Sequence, residues 1–328
     1  MGKRELIFDT FDNKATERIP IGFWFHFAPE ELYDERPEVI EKNIEGHQKF
    51  FDGFAPDFLK LMSDGYFTYP NETVSRIQSA ADLDQVKASE PTEWIDKQVA
   101  LVRELTGRFK SEVAAFYNIF APATFFKFLV PQDGGLALGK LLAENPAGVR
   151  HALNEIGKDI AVLAEKVIRE GGADGIYLSA QNIQDSEVGK EAYLENVAPS
   201  ELKVLEAANR VSDYNILHIC GYEGARNDLS YYVDYPAKAV NWAVTTEHVS
   251  LSEGKKLFGG RAVIGGFNNT KKGVLYKGTR EEIEAYTAEL IRDAGKTGVV
   301  LGADCTVPSD IDLAHLEWVR EKAKTATA

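Results

Sequence analysis

Short runs of apolar and β-branched residues alternate along this chain with longer stretches in which apolar positions recur at helical spacing. That alternation marks repeated βα units, because successive parallel strands need a crossover between them and the crossover is usually a helix. Eight runs read as strands: Ile19–Phe27, Phe58–Met62, Glu112–Ile119, Gly175–Ser179, Tyr214–Cys220, Ala239–Thr245, Ala262–Phe267 and Gly298–Ala303. Several are apolar at nearly every position, as strands covered on both faces should be. Glu38–Phe51, Glu93–Gly107, Pro146–Glu170, Pro199–Val211, Ser250–Leu257, Thr279–Ala294 and Asp312–Lys324 read as helices. Thr279 followed by Glu282 forms a capping-box pattern, and Pro146 after Asn145 suits a helix start. No Gly/Pro/Ser-rich linker, fixed-period repeat or charged tail divides the 328 residues. The pattern therefore predicts an α/β protein, a (β/α)8 TIM barrel forming a single domain over residues 1–328, with a doubly wound open sheet as the alternative.

Composition changes this picture little but narrows function. With 37 Lys and Arg against 51 Asp and Glu the formal charge is −14, a field that repels a nucleic-acid backbone, so no nucleic-acid partner is expected. No stretch approaches the ~18 apolar residues that a membrane span requires, and the opening MGKRELIFDTFDNK has no signal-like apolar run. A cytoplasmic protein without a membrane partner is the expectation. The glycine pairs Gly171-Gly172, Gly259-Gly260 and Gly265-Gly266 complete neither a dinucleotide nor a P-loop fingerprint and read as turns.

Cysteine usage points to chemistry. The chain has 2 cysteines, Cys220 and Cys305, which excludes a disulfide framework and suits a reducing compartment. His218 and Cys220 are two apart on a predicted strand and so share a face, at the C-terminal end where parallel barrels gather reacting groups. Cys305 ends the eighth predicted strand and reaches the same rim. Taken singly, a buried cysteine is ordinarily a small hydrophobe and a strand histidine a hydrogen-bonded core residue. Converging, one imidazole and two thiols are the donors of a catalytic zinc with an open fourth position. Two thiolates and a neutral imidazole leave Zn²⁺ formally neutral, able to deprotonate an incoming thiol and ready it for alkylation.

With these residues in place, the chain resembles the uroporphyrinogen decarboxylase superfamily and, within it, the cobalamin-related zinc methyltransferase branch. Arg18–Trp24 is similar to the family's opening strand, Phe58–Asp64 to its second strand and acidic residue, Phe116–Thr124 to its third, and Gly260–Asn268 to its seventh. The branch is marked by His-x-Cys and a distant Cys, matched by His218, Cys220 and Cys305. The resemblance implies a (β/α)8 barrel in which zinc activates a thiol, typically coenzyme M, toward the methyl group of a methylated corrinoid; a folate is the other acceptor. It makes Glu247, in Val244-Thr245-Thr246-Glu247, the candidate fourth zinc ligand and a candidate catalytic residue; a rim carboxylate at a helix start is its plain reading. The family's decarboxylases carry paired arginines after the first strand, where this chain has Phe25-His26-Phe27-Ala28-Pro29. No Asp-x-His-x-x-Gly corrinoid-binding signature occurs, so a corrinoid protein partner or free corrinoid is implied.

Further rim candidates follow. Asp64 matches the decarboxylases' acidic residue and is a candidate catalytic group, although Asp before Gly65 also suits a turn. Tyr117 and Asn182 are candidate substrate-binding residues near the mouth, with Asn118 and Gln181 beside them. The Phe-rich stretch Phe116–Val130 suits a mouth for a flat macrocycle, core packing or a homodimer contact. The expected function is corrinoid-to-thiol methyl transfer with zinc; the alternatives are a decarboxylase-like lyase acting through Asp64 and a non-catalytic barrel that binds metal or a corrinoid protein.

Overall fold

The computed structural model describes residues 1–28, 34–181 and 188–327. Its strands are β1 (Ile21–Gly22), β2 (Phe58–Leu61), β3 (Ala114–Phe120), β4 (Gly175–Ala180), β5 (Ile216–Ile219), β6 (Ala239–Trp242), β7 (Ala262–Phe267) and β8 (Val299–Ala303), each inside or overlapping its predicted run. All pairs are parallel, in the order β1-β8-β7-β6-β5-β4-β3-β2. The β1–β2 seam has no ladder, but the Asp57 N–H donates to Ile21 O at 3.2 Å and the Ile21 N–H donates to Asp57 Oδ2 at 2.8 Å. Arg18 grips the same carboxylate through two hydrogen bonds of 2.5 and 2.6 Å. The result is a nearly closed (β/α)8 TIM barrel, a single domain, as the pattern predicts.

Strand period two sorts the side chains. Along β2, Phe58 and Met62 face the barrel interior with Trp24, Phe116, Tyr177, Ile264 and Val300, while Leu59 and Leu61 pack outward among the helices. Lys60 shares the inward parity of Phe58 and Met62.

The predicted helices are present as Pro37–Phe54, Thr92–Phe109, Pro146–Arg169, Ala198–Asn209, Leu251–Leu257, Arg280–Ala294 and Leu313–Thr327. Thr279 and Glu282 form a full capping box, and Asn145 accepts from the Gly148 N–H. Two further helices matter to the site. Lys3–Phe11 inserts Ile7 and Phe11 into the interior cluster and closes the end of the barrel opposite the strands' C termini. Pro122–Leu129, opening on a proline at its first turn, carries Phe125 and Phe128 to the rim.

Candidate metal centre and active-site cavity

Strand β5 ends in His218, Ile219 and then Cys220, whose N–H continues the ladder by donating to Ala180 O at 2.9 Å. His218 and Cys220 thus point the same way, into the mouth. Cys305 follows β8 by two residues. Among the described residues, His218, Cys220 and Cys305 form a group whose donor atoms all lie within 4.8 Å of one another, with Cys305 Sγ 3.6 Å from His218 Nε2. The sequence expectation that these three converge is what the geometry has.

The imidazole is held in one tautomer. Asn241, on β6, donates its amide to Ile264 O at 2.8 Å and Ala303 O at 3.4 Å, so the side bonded to His218 Nδ1 is its carbonyl oxygen. A carbonyl accepts only, so Nδ1 carries the proton and Nε2 presents its lone pair to the sulfurs. Cys305 is pulled below the ordinary thiol range, chiefly by the hydrogen bond from Cys220, which for the same reason is pushed up. This donor set fits zinc: two thiol sulfurs and one pre-set imidazole nitrogen, with a cavity on the remaining side.

Backbone and carboxylate supports hold the rim. Asp304, fully buried, accepts from the Val244 and Thr245 N–H groups at 3.0 Å each and from the Thr245 hydroxyl, tying the start of the Val244–Glu247 turn of helix to the residue before Cys305. Burial pushes its carboxyl up to about 7. Gly221 leaves room for Glu247: a Cβ there would lie 2.0 Å from Glu247 Oε1.

The cavity beside the cluster has a volume of about 190 Å³ and is lined by Lys60, Asp64, Asn118, Gln181, Phe128 and the three candidate ligands, among others. Gln181 hydrogen-bonds Cys220, and its Oε1 is buried with no partner among the described residues. A second cavity of about 500 Å³, walled by Phe67, Tyr69, Phe120, Phe125 and Phe128, shares His26 and Asp64 with the first. No arginine is among the described residues lining either one.

Asp64 sits between the two cavities in a left-handed conformation (φ 49°). It is saturated: Oδ1 takes His26 Nδ1 at 2.8 Å, and Oδ2 takes the Tyr66 hydroxyl at 2.8 Å, the Phe27 N–H at 3.2 Å and Asn43 at 3.3 Å. Its visible action is to orient His26 toward the mouth.

Two expectations require correction. Tyr117 does not face the mouth: it is fully buried on the outward parity of β3 and donates its hydroxyl to Gln98 of the helix Thr92–Phe109 at 2.9 Å. The strand alternation hands the inward position to Asn118, which hydrogen-bonds Ser63 and Ser179 at 3.3 Å. Glu247 is not in the ligand cluster: its Oε2 accepts the Asn227 N–H at 2.7 Å and its Oε1 the Asn227 amide at 2.8 Å. Asn182 lies outside the described residues. Lys60, Asn241 and Asp304 are the site residues that sequence reasoning passed over. Their one signal is a polar residue interrupting an apolar strand or following it.

Fold and cluster together define a class, a (β/α)8 barrel with a cluster of soft donors that could hold a metal at the C-terminal ends of its strands. No protein-family model matches the chain. It is similar to the methylcobamide:CoM methyltransferase MtbA of Methanosarcina mazei, 23% identical over 256 residues that cover 78% of this chain and 71% of that protein. Among solved structures, a methyltransferase from Methanosarcina mazei has the same fold, with a TM-score of 0.76 at 14% identity and 100% of both chains covered. A B12-independent methionine synthase from Shewanella sp. W3-18-1 in complex with selenomethionine matches with a TM-score of 0.57 at 12% identity, covering 94% of this chain and 95% of its own. The resemblance to barrel methyltransferases, expected from the His-x-Cys and distant Cys, is met by these comparisons.

Proposed function

We propose that this chain is a zinc-dependent methyltransferase that moves a methyl group between a corrinoid and a thiol. The observation that carries the reading is the convergence of His218 Nε2 with the Cys220 and Cys305 sulfurs on one wall of the cavity. Similarity to MtbA, a methylcobamide:CoM methyltransferase, supports the methyl-transfer class and suggests both substrates. Zn²⁺ in this shell would lower the proton affinity of a thiol and hold it as a nucleophile.

The chain's own residues supply placement. Asn241 keeps Nε2 of His218 available, and Asp304 ties the end of β8 to the turn after β6, so the donors do not have to be assembled on binding. The cavity of about 190 Å³ has room for a small thiol, and Phe120, Thr124 and Phe128 are among the residues that line it. Phe128 is 62% exposed and stands edge-on to Phe120 and Phe125, an aromatic lip suited to the flat face of a macrocycle delivered by a corrinoid protein or free in solution. A polycarboxylate would find no arginine on the described walls, which favours methyl transfer over the decarboxylase-like alternative.

The test is metal analysis joined to transfer. Protein purified without chelators is expected to carry about one zinc per chain and to methylate 2-mercaptoethanesulfonate from methylcobalamin, and Cys220→Ala is expected to lose both. Transfer at the full rate by zinc-free Cys220→Ala would sink the proposal.

A further inference from the structure

Lys60 stands out as a buried cation with no conventional partner. It is 4% exposed, on the inward parity of β2, and its ammonium has no hydrogen bond or ion pair among the described residues. It lies instead 4.4 Å from the ring centre of Tyr177 and 5.2 Å from that of Trp24. Lysine is seldom buried in this way unless an anion is close by.

The anions it faces are few. Lys60 lines the same cavity as His218, Cys220 and Cys305; burial lowers its pKa from the ordinary lysine value, opposed in part by Cys305, Cys220 and Asp64. Asp64 is already committed to His26, Tyr66, Asn43 and the Phe27 N–H. Two thiolates and a neutral imidazole would balance a divalent cation, which leaves Asp64 as the one carboxylate among the described residues lining the cavity and Lys60 without an anion in contact until one enters.

We propose that Lys60 is the counter-ion for an anionic sulfur ligand brought to the His218, Cys220 and Cys305 site, so that the cavity selects a thiolate over a neutral ligand of similar size. The inference rests on the zinc methyltransferase reading and deepens it by naming the charge state the site is built to receive. Tyr177 and Trp24 hold the ammonium by cation–π contact, which is strongest where water is excluded. The neutral interior around them keeps the Lys60 charge from being screened.

The experiment uses the Co²⁺-substituted full chain, whose visible absorption reports ligand binding without turnover. Wild type, Lys60→Met, Lys60→Gln and Lys60→Arg are titrated with 2-mercaptoethanol and, separately, with imidazole at one pH. The two neutral variants are expected to bind cobalt as wild type does and to bind imidazole unchanged, but to weaken thiol binding roughly tenfold or more. Lys60→Arg, which retains the charge, is expected to recover most of the thiol affinity and serves as the control if a neutral variant folds poorly. Thiol binding unchanged in the neutral variants, or thiol and imidazole weakened together, would overturn the counter-ion role while leaving the metal site standing. A wild-type chain that takes up neither zinc nor cobalt would overturn both.

Discussion

Asn241 controls what His218 can do, although it touches no sulfur. Its amide is committed to the carbonyls of Ile264 and Ala303, so its oxygen can only accept the Nδ1 proton and leave Nε2 as the donor. Asn241→Ala is therefore expected to keep all three ligands yet lower zinc affinity roughly tenfold to hundredfold, measured by competition with a chromogenic chelator. Affinity equal to wild type would mean that packing alone orients the ring. The same scale explains the Tyr117 correction. Both Tyr117 and Asn118 lie on β3 beside polar partners, but a strand sends neighbours to opposite faces, and the apolar count of that run does not reveal which parity faces in.

At the level of elements, the helix Ala198–Asn209 carries an unusual load. Glu201 is fully buried, accepts from the hydroxyls of Tyr193 and Tyr235, and has its other oxygen without a partner among the described residues. Burial raises its carboxyl from the ordinary 4.5 to about 7. Between those values the folded chain holds this proton and the unfolded chain does not, so unfolding releases it and stability falls as pH rises through the window. The loss amounts to roughly 3 kcal/mol, absent below the unfolded value and complete above the folded one. Glu201→Gln is expected to flatten this part of the stability profile and to raise the denaturation midpoint at pH 8, read by urea unfolding across the range. An unaltered slope in the variant would assign the pH dependence elsewhere. Helix starts were legible because their signals are local, as with Thr279 and Asn145. Lys3–Phe11 was not, because its apolar side is short and has meaning only against the barrel floor it seals.

For the whole molecule, closure of the barrel depends on a seam with no ladder. Asp57 has a fully buried side chain, paired to Arg18 and bonded to the Ile21 N–H, so it performs between β1 and β2 what backbone pairing performs elsewhere. Asp57→Ala would leave a half-buried guanidinium and a backbone donor without partners, and is expected to cost about 3 kcal/mol of unfolding free energy in denaturant titrations. A change below about 1 kcal/mol would show that helix packing holds the seam without it. No helix among the described residues is long and apolar enough to cross a membrane.

What the sequence determined by itself was the order of βα units, the eight strand positions and the rim on which His218, Cys220 and Cys305 meet. Each is written in short-range pattern: apolar runs, a capping box, and His-x-Cys on one strand face. Tertiary structure alone decided the rest. It turned Tyr117 away from the mouth, engaged Glu247 with Asn227, set Asn241 behind His218 and placed Lys60 in the cavity wall. These depend on which strand face closes inward and on partners far away in the chain, as with His218 and Cys305, which are 87 residues apart. Local pattern encodes an element; only closure of the barrel brings distant side chains close enough for their charges and hydrogen bonds to act on one another.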